Sequence, residues 1–300
     1  MRAQFGGRAV GTVGPGRDVG GMQMSATLSP ALPATAAPAA RAVDLDRATV
    51  VFGRGASAVT ALAPTTLRIE RGSFVALVGP SGCGKSTILK LVSSLLRASD
   101  GAVIVGGREA SARALRIGMA FQNPTLLPWL TIERNVMLPL KIVPPFRDDF
   151  RRERKRGFRD RVHALLAKVG LKDFANHYPW QLSGGMLQRA NLCRSLIHEP
   201  DLLLLDEPFG ALDQFTREEL WQDLQQLYLE RKPTVMLVTH DLREAGYLAT
   251  RICVMSPRPG RIISDRAVDL PQPRDIGMIY EPGFVEMTQS LRELIAQVRK

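Results

Sequence analysis

The chain has 300 residues, 45% apolar and 23% charged, the make-up of an ordinary globular protein. Its longest apolar runs, Phe74 to Gly79 and Leu202 to Leu205, are strand-sized and far short of the roughly 20 residues that span a bilayer, which excludes a membrane-embedded chain. Forty basic against 29 acidic residues give a net charge of +11, suited to nucleic acid, anionic lipid or a phosphate ligand without choosing among them. Cys83, Cys193 and Cys253 are widely spaced and odd in number, so neither a disulfide framework nor a zinc site is expected, and a reducing cytosol is the default.

In chain order, half of the first forty residues are Gly, Ala or Pro with no hydrophobic period, so residues 1–42 read as a disordered tail. No continuous apolar segment follows Arg2 and Arg8 to support a secretory signal, and Met22 and Met24 leave a later translation start open. Strands are expected at Ala48 to Phe52, Thr66 to Glu70 and Phe74 to Val78, the last running into a glycine-rich loop and a helix from Lys85 to Leu96. Strands at Ala102 to Val105 and Ile117 to Phe121 follow. Residues 123–199 then turn helical, with helices at Thr131 to Leu140, Asp148 to Val169 and Gly184 to Ile197. Alternation resumes with Leu202 to Leu205, a helix from Thr216 to Glu230, a strand at Thr234 to Val238, a short helix after His240, and strands at Ile252 to Met255 and Arg261 to Ser264. A last amphipathic helix runs from Phe284 to Lys300. The pattern is an α/β core over 43–270, interrupted by a helical insertion, with a helical extension over 271–300. The run Arg147 to Arg161 holds eight basic and four acidic residues and reads as a solvated helix face rather than a nucleic-acid patch.

Gly79-Pro80-Ser81-Gly82-Cys83-Gly84-Lys85-Ser86-Thr87 fits the Walker A pattern and lies between a buried strand and a helix, where a phosphate-binding loop must lie. Its glycines let successive N–H groups converge on phosphate oxygens, the helix start faces the same anion, and Lys85 reaches the β and γ phosphates. The Ser86 hydroxyl is placed to ligate Mg²⁺. Leu202 to Leu205 ends in Asp206 and Glu207: Asp206 would hold the Mg²⁺ shell, and Glu207 would act as general base on the water that attacks the γ-phosphate.

Further along stand Gln122 in Phe121-Gln122-Asn123, Leu182-Ser183-Gly184-Gly185-Met186-Leu187-Gln188-Arg189, Asp213 in Ala211-Leu212-Asp213, and His240. In this order and spacing the chain closely resembles the ATP-binding-cassette (ABC) ATPases over roughly residues 45 to 270. The resemblance implies a RecA-like P-loop NTPase core with an antiparallel β-subdomain and an inserted helical subdomain. It implies that Gln122 senses metal and lytic water, that Asp213 belongs to the D-loop, and that His240 contacts the γ-phosphate. Ser183 and Gly184 open a helix, a second anion-binding end. The resemblance supplies its partner: a second copy faces the first head to tail, with Ser183 and Gly185 of one over the γ-phosphate held at Lys85 of the other. Met186 departs from the family's usual Gln.

Phe52 is the candidate for stacking on adenine, with a core strand position as the alternative. His163, His177 and His198 read as surface or packing residues, and Cys83 as a space-filling residue in the loop, with a lysine-lowered thiol as the alternative. Pro124 to Trp129 is an apolar strip that would either dock separate transmembrane subunits or fill the helical subdomain's core. That strip, the signature and Met255-Ser256-Pro257-Arg258-Pro259-Gly260-Arg261 look like the bacterial nitrate, sulfonate and taurine import ATPases. The resemblance implies an ATP-hydrolysing subunit on the cytoplasmic face of the membrane, working with permease subunits and an extracytoplasmic binding protein, with ATP and Mg²⁺. The rival readings are a cassette acting on nucleic acid or ribosomes and a small-molecule kinase. The first usually carries two cassettes or a long coiled coil, and the second leaves the signature and His240 unexplained.

Overall fold

The computed structural model describes residues 41–110, 115–210 and 212–298. The tail expected over 1–42 lies outside these residues except for its last two, which already belong to a strand. That strand, β1 (Arg41–Phe52), and β2 (Val59–Glu70) form an antiparallel ribbon. β4 (Asp100–Val105) pairs with the other edge of β1, and β5 (Arg108–Glu109) pairs with β4. Both long strands begin well before the stretches expected from alternation, because β-bulges between Leu45 and Val51 break the period while pairing continues.

The second sheet runs in the order β10 (Ile262–Ala267), β9 (Arg251–Met255), β3 (Phe74–Val78), β8 (Thr234–Thr239), β7 (Leu202–Asp206), β6 (Ile117–Ala120). All its pairings are parallel except β10 with β9. Its central strands are apolar on both faces, as a sheet covered on both sides requires. Phe74, Ala76 and Val78 face one hydrophobic core, while Val75 and Leu77 face the other, which the antiparallel sheet and α1 (Lys85–Val92) share. α1 stops before the expected Leu96. Ser94 takes a left-handed φ of 62°, and the Leu96 N–H returns to the Lys90 carbonyl, closing the helix end.

Between β6 and β7 lies the helical layer: α2 (Ile132–Ile142), α3 (Phe146–Glu153), α4 (Gly157–Lys168) and α5 (Gly184–Leu196). The single helix expected over Asp148 to Val169 is two. Arg151, Arg152, Arg154, Lys155 and Arg156 crowd like charges within little more than one turn, and Gly157 follows, so continuing the helix there is unfavourable. Asn135, fully buried on α2, accepts from the Leu127 N–H and donates to the carbonyls of Leu127, Leu130 and Thr131 at 2.7–3.1 Å. This pins the 127–131 turn and leaves Trp129 outside, 69% exposed, which removes the core alternative for that ring. No described helix is long and apolar enough to cross a membrane.

After β7 come α6 (Gln214–Arg231), α7 (Leu242–Leu248) and α8 (Pro282–Val298), whose Phe284 and Leu291 are buried in the same core as the parallel sheet. The link to α8 is fastened by Arg274, 2% exposed, whose guanidinium donates to the carbonyls of Gly246, Tyr247, Ala249 and Leu270 at 2.8–3.1 Å. These include the last carbonyls of α7, which have no intrahelical partner of their own. Burial pushes the Arg274 pKa down to about 10. Arg274→Met removes these bonds and is expected to cost about 3 kcal/mol in urea unfolding; a cost under about 0.5 kcal/mol would refute the capping role.

Glu244 on α7 is also buried, with one carboxyl oxygen accepting from Thr239 Oγ1 at 2.7 Å and the other without a partner among the described residues. Burial raises its pKa from 4.5 to about 8. Between those values the unfolded chain has lost the proton while the folded chain keeps it, so this residue's contribution to stability declines as pH rises through that window. The one-proton slope is about 1.4 kcal/mol per pH unit. Glu244→Gln keeps a neutral side chain at every pH. Its Tm should vary less between pH 5 and 8 than that of the native protein, and an equal decline in both would show that Glu244 is ionised in the fold.

Candidate active site

The phosphate loop leaves β3 at Val78 and closes on α1, with Gly82 at φ 74° and Gly84 at φ 104°, conformations that a side chain would strain. α1 has no acidic residue in its first turn, so its free N–H groups and positive end face the loop unopposed. Lys85 is 4% exposed, and its ammonium donates to the carbonyls of Gly79 at 3.0 Å and Pro80 at 2.9 Å. The cation is thereby held at the loop's centre. Cys83 lies beneath, its sulfur 3.9 Å from Lys85 Nζ. Burial raises its thiol pKa more strongly than the lysine lowers it, which favours the space-filling reading.

Ser86 Oγ donates to Asp206 Oδ1 at 2.8 Å, joining the loop to the end of β7. Burial raises the Asp206 pKa against the lowering effect of the Ser86 hydroxyl, while neighbouring Glu207 adds repulsion. A hydroxyl and a carboxylate held together at a phosphate loop are the hard oxygen donors that a small divalent cation takes. Among the described residues no cluster of three His, Cys, Asp or Glu could hold a metal unaided, so such a cation would need oxygens from elsewhere, which phosphate can provide.

Glu207 sits at φ 46°, a left-handed conformation that costs a non-glycine residue about 1–3 kcal/mol and marks a position held by its surroundings. Its N–H donates to the Val238 carbonyl at 2.9 Å, and its Oε2 lies 3.2 Å from Nδ1 of His240 at the end of β8. Gly210 brings in the glutamine: a Cβ built there would lie 3.4 Å from Gln122 Nε2 and 3.9 Å from Glu207 Oε2. Lys85, Ser86, Asp206, Glu207, His240 and Gln122 therefore gather at the C-terminal edge of the parallel sheet, where open α/β sheets place their ligands.

The signature residues stand apart. Ser183 caps α5, its hydroxyl accepting from the Met186 N–H at 3.4 Å. Gly184 faces open space, whereas a Cβ on Gly185 would meet Thr216 Cγ2 at 2.5 Å. Thr216 is positioned by Asp213, which caps α6 and accepts its N–H at 3.0 Å, a bond that also holds the Asp213 carboxyl below its usual pKa. Among the described residues no hydrogen bond joins 183–185 to the phosphate loop of the same chain.

The two regions are connected by one face of α5. Gln188 Nε2 donates to the Gln122 carbonyl at 2.5 Å, Asn191 Nδ2 to the Phe121 carbonyl at 3.4 Å, and Arg194 to Thr125 through both its carbonyl and its hydroxyl at 2.6 Å. Sequence reasoning quoted Gln188 without a role, although 188, 191 and 194 recur at a spacing of three and so share a helix face. Arg258, named there only within the 255–261 string, has its Nη2 3.7 Å from where a Cβ on Gly82 would stand, and buried Glu244 was passed over. Phe52 is 47% exposed at the end of β1, opposite Val59, so it is not a core residue. His163 pairs with Glu133 at the surface, while His177 packs on Phe174 and His198 meets the Ile117 carbonyl, in line with packing roles.

The ABC transporter family model matches residues 62–210. The chain is 42% identical over 223 residues to the aliphatic sulfonates import ATP-binding protein SsuB of Bacillus licheniformis, covering 74% of this chain and 83% of that one. It is 40% identical to the protein of the same name from Bacillus subtilis, over 72% of this chain and 80% of that one. Among solved structures, a dimeric ATP-binding cassette in a post-hydrolysis state bound to ADP and Pi superposes with a TM-score of 0.65 at 32% identity, over 76% of this chain and all of that one. A second dimeric structure of that bacterial ABC transporter cassette gives 0.64 at the same identity and coverage. With a RecA-like sheet, an antiparallel sheet and an inserted helical layer around this site, the chain belongs to the ABC transporter family as one of its ATP-hydrolysing cassettes.

Proposed function

We propose that this chain is the ATP-hydrolysing subunit of an importer for a small solute of the sulfonate, taurine or nitrate kind. Its relatives at 40–42% identity carry the name of aliphatic sulfonates import proteins. The observation that carries the mechanism is the separation of two half-sites: Lys85 and its partners at the sheet edge, and the helix start at Ser183 directed elsewhere. Two copies arranged head to tail complete each other. The terminal phosphate then lies between the Lys85 loop of one and Ser183, Gly184 and Gly185 of its mate, an arrangement supported by the dimeric state of the cassette that this fold resembles.

In this site Lys85 and the N–H groups of 79–87 bind the phosphates and offset their charge. Ser86 and Asp206 would hold Mg²⁺, with Gln122 beside them; when bound, the ion supplies charge neutralisation at the β and γ phosphates. Glu207 accepts a proton from water as that water attacks the γ-phosphorus, and His240, bonded to the same carboxylate, fixes its orientation. The products are ADP and phosphate. Losing the γ-phosphate frees the mate's helix start, and Gln188 carries that change to the Gln122 strip. The strip ends at exposed Trp129, the surface proposed to dock a short helix of the transmembrane subunits at the cytoplasmic face. An extracytoplasmic binding protein would deliver the solute to those subunits. Phe52, exposed near the entry of the antiparallel sheet, is proposed to stack on adenine.

Glu207→Gln should bind ATP, accumulate dimers by light scattering, and lose on the order of 10²-fold or more in phosphate release. Unchanged release would remove Glu207 from the base role. Lys85→Ala should weaken ATP binding at least ten-fold by fluorescent-nucleotide titration, with native affinity contradicting the loop assignment. Gln188→Ala should leave ATP affinity within two-fold and slow turnover several-fold; equal loss in both would make it a packing residue only.

A further inference from the structure

At the opposite end of the parallel sheet from the phosphate loop, a cavity of about 630 Å³ opens where β6, β7 and β8 begin. Its floor is apolar, from Leu165 of α4, Leu196 and Ile197 at the end of α5, and Leu227 of α6. Its rim is strongly basic: Arg71, Arg116, Arg161, Lys168, Arg231 and Lys232 line it, against only Glu199, Asp201 and Glu230. Every acidic group is already engaged. Asp201 pairs with Arg116 at 3.2 Å, Glu230 with Lys168, and Glu199 is shared by Arg161 at 3.0 Å and Arg231 at 2.9 Å. Among the described residues neither Arg71 nor Lys232 forms an ion pair within 4.0 Å, although Arg71 lies near enough to Asp201 to help hold its carboxyl below the usual pKa, and the lining carries a formal net charge of about +3. The same excess acts on its wall, where burial lowers the Arg161 pKa and Arg231 and Arg116 lower it further against Glu199.

We propose that this cavity binds a small organic anion with an apolar body: the head at Arg71 and Lys232, the body on the leucine floor. Its volume lies within the roughly 300–1,000 Å³ of small-molecule sites, and an apolar floor with a few charged groups at one edge is how such sites orient a ligand. A bare inorganic anion would leave the floor unused, and an uncharged hydrocarbon would leave two cations without a counter-charge. α4 and α5 belong to the helical layer, whereas α6 and the strand starts belong to the core, so an occupant touches both. Binding there adjusts how the signature helix sits against the sheet and changes ATP turnover without contact with nucleotide. This assignment does not depend on which solute is transported.

Calorimetric titration of the purified full chain tests it, with 1-hexanesulfonate and hexanoate as probes and sulfate and hexanol as controls. At least one amphipathic anion should bind saturably and at least ten-fold more tightly than either control; sulfonate alone, carboxylate alone, or both identify which heads the rim accepts. Arg71→Glu combined with Lys232→Glu, and separately Ala164→Trp, which fills the cavity from the exposed face of α4, should each weaken binding at least ten-fold while ATP affinity stays within two-fold. The saturating probe should shift the native turnover at least two-fold and leave the variants' turnover unchanged. Probe binding no tighter than sulfate or hexanol, or binding that survives both variants, would overturn the site. Binding without any change in turnover would overturn its coupling to the helical layer.

Discussion

The hydrogen bond from Ser86 to Asp206 joins the phosphate loop, at the end of β3, to the end of β7 two strands away, and the rest of the catalytic end is arranged around that join. It exists because both strands are buried on both faces and in register with β8 between them, so their C-terminal ends stop level with one another. Asp206 occupies the last position of its strand. The chain must turn at once, and it does so with Glu207 in a left-handed conformation that directs its carboxylate toward His240 at the end of β8. Strand register thus sets the proposed chemistry: three adjacent strand ends bring together the proposed cation-binding pair, the proposed base and the histidine beside it.

The two helix starts proposed to bind phosphate are treated differently. α1 opens against its own loop, where Lys85 is buried and bonded to the loop's carbonyls. α5 opens toward solvent with Gly184 facing open space, and the close contact of Gly185 with Thr216 sets its position against the start of α6. On the proposed head-to-tail reading, a chain with one phosphate loop and a second, outward-facing helix start is incomplete as a catalyst by itself. The Gln188, Asn191 and Arg194 face of α5 ties the outward end by hydrogen bonds to the segment around Gln122, which is the proposed route by which a contact at Ser183 would reach the inner site.

Much of this was legible in the sequence because the responsible features are local. The phosphate loop, the Asp206-Glu207 strand end and the Ser183 helix cap are each contiguous strings whose backbone needs show in residue type: glycine for left-handed turns, serine for a cap, leucine runs for a doubly covered strand. What was not legible is non-local or charge-driven. The bulged continuation of β1 and β2 hides behind a broken alternation. The split between α3 and α4 follows from like charges that a hydrophobic period ignores. Glu244 and Arg274 look like surface residues until tertiary packing buries one beside Thr239 and sets the other over the end of α7. The excess of basic residues, which composition alone could not assign, is concentrated in part around the cavity at the far end of the sheet, where Arg71 and Lys232 come together from segments 161 positions apart.

Each active site is proposed to be divided between two copies, and mixing two inactive variants decides whether it is. In Lys85→Ala the phosphate loop fails while the signature is intact; in Ser183→Arg the reverse holds. Each alone should release little phosphate, since every site in a like pair contains one fault. On mixing, head-to-tail pairs place both faults in one site and leave the other whole, so ATP-dependent phosphate release should reappear at a substantial fraction of native turnover. If Ser183→Arg alone keeps native turnover, or if the mixture stays as inactive as its components, the division of each site between two copies is contradicted.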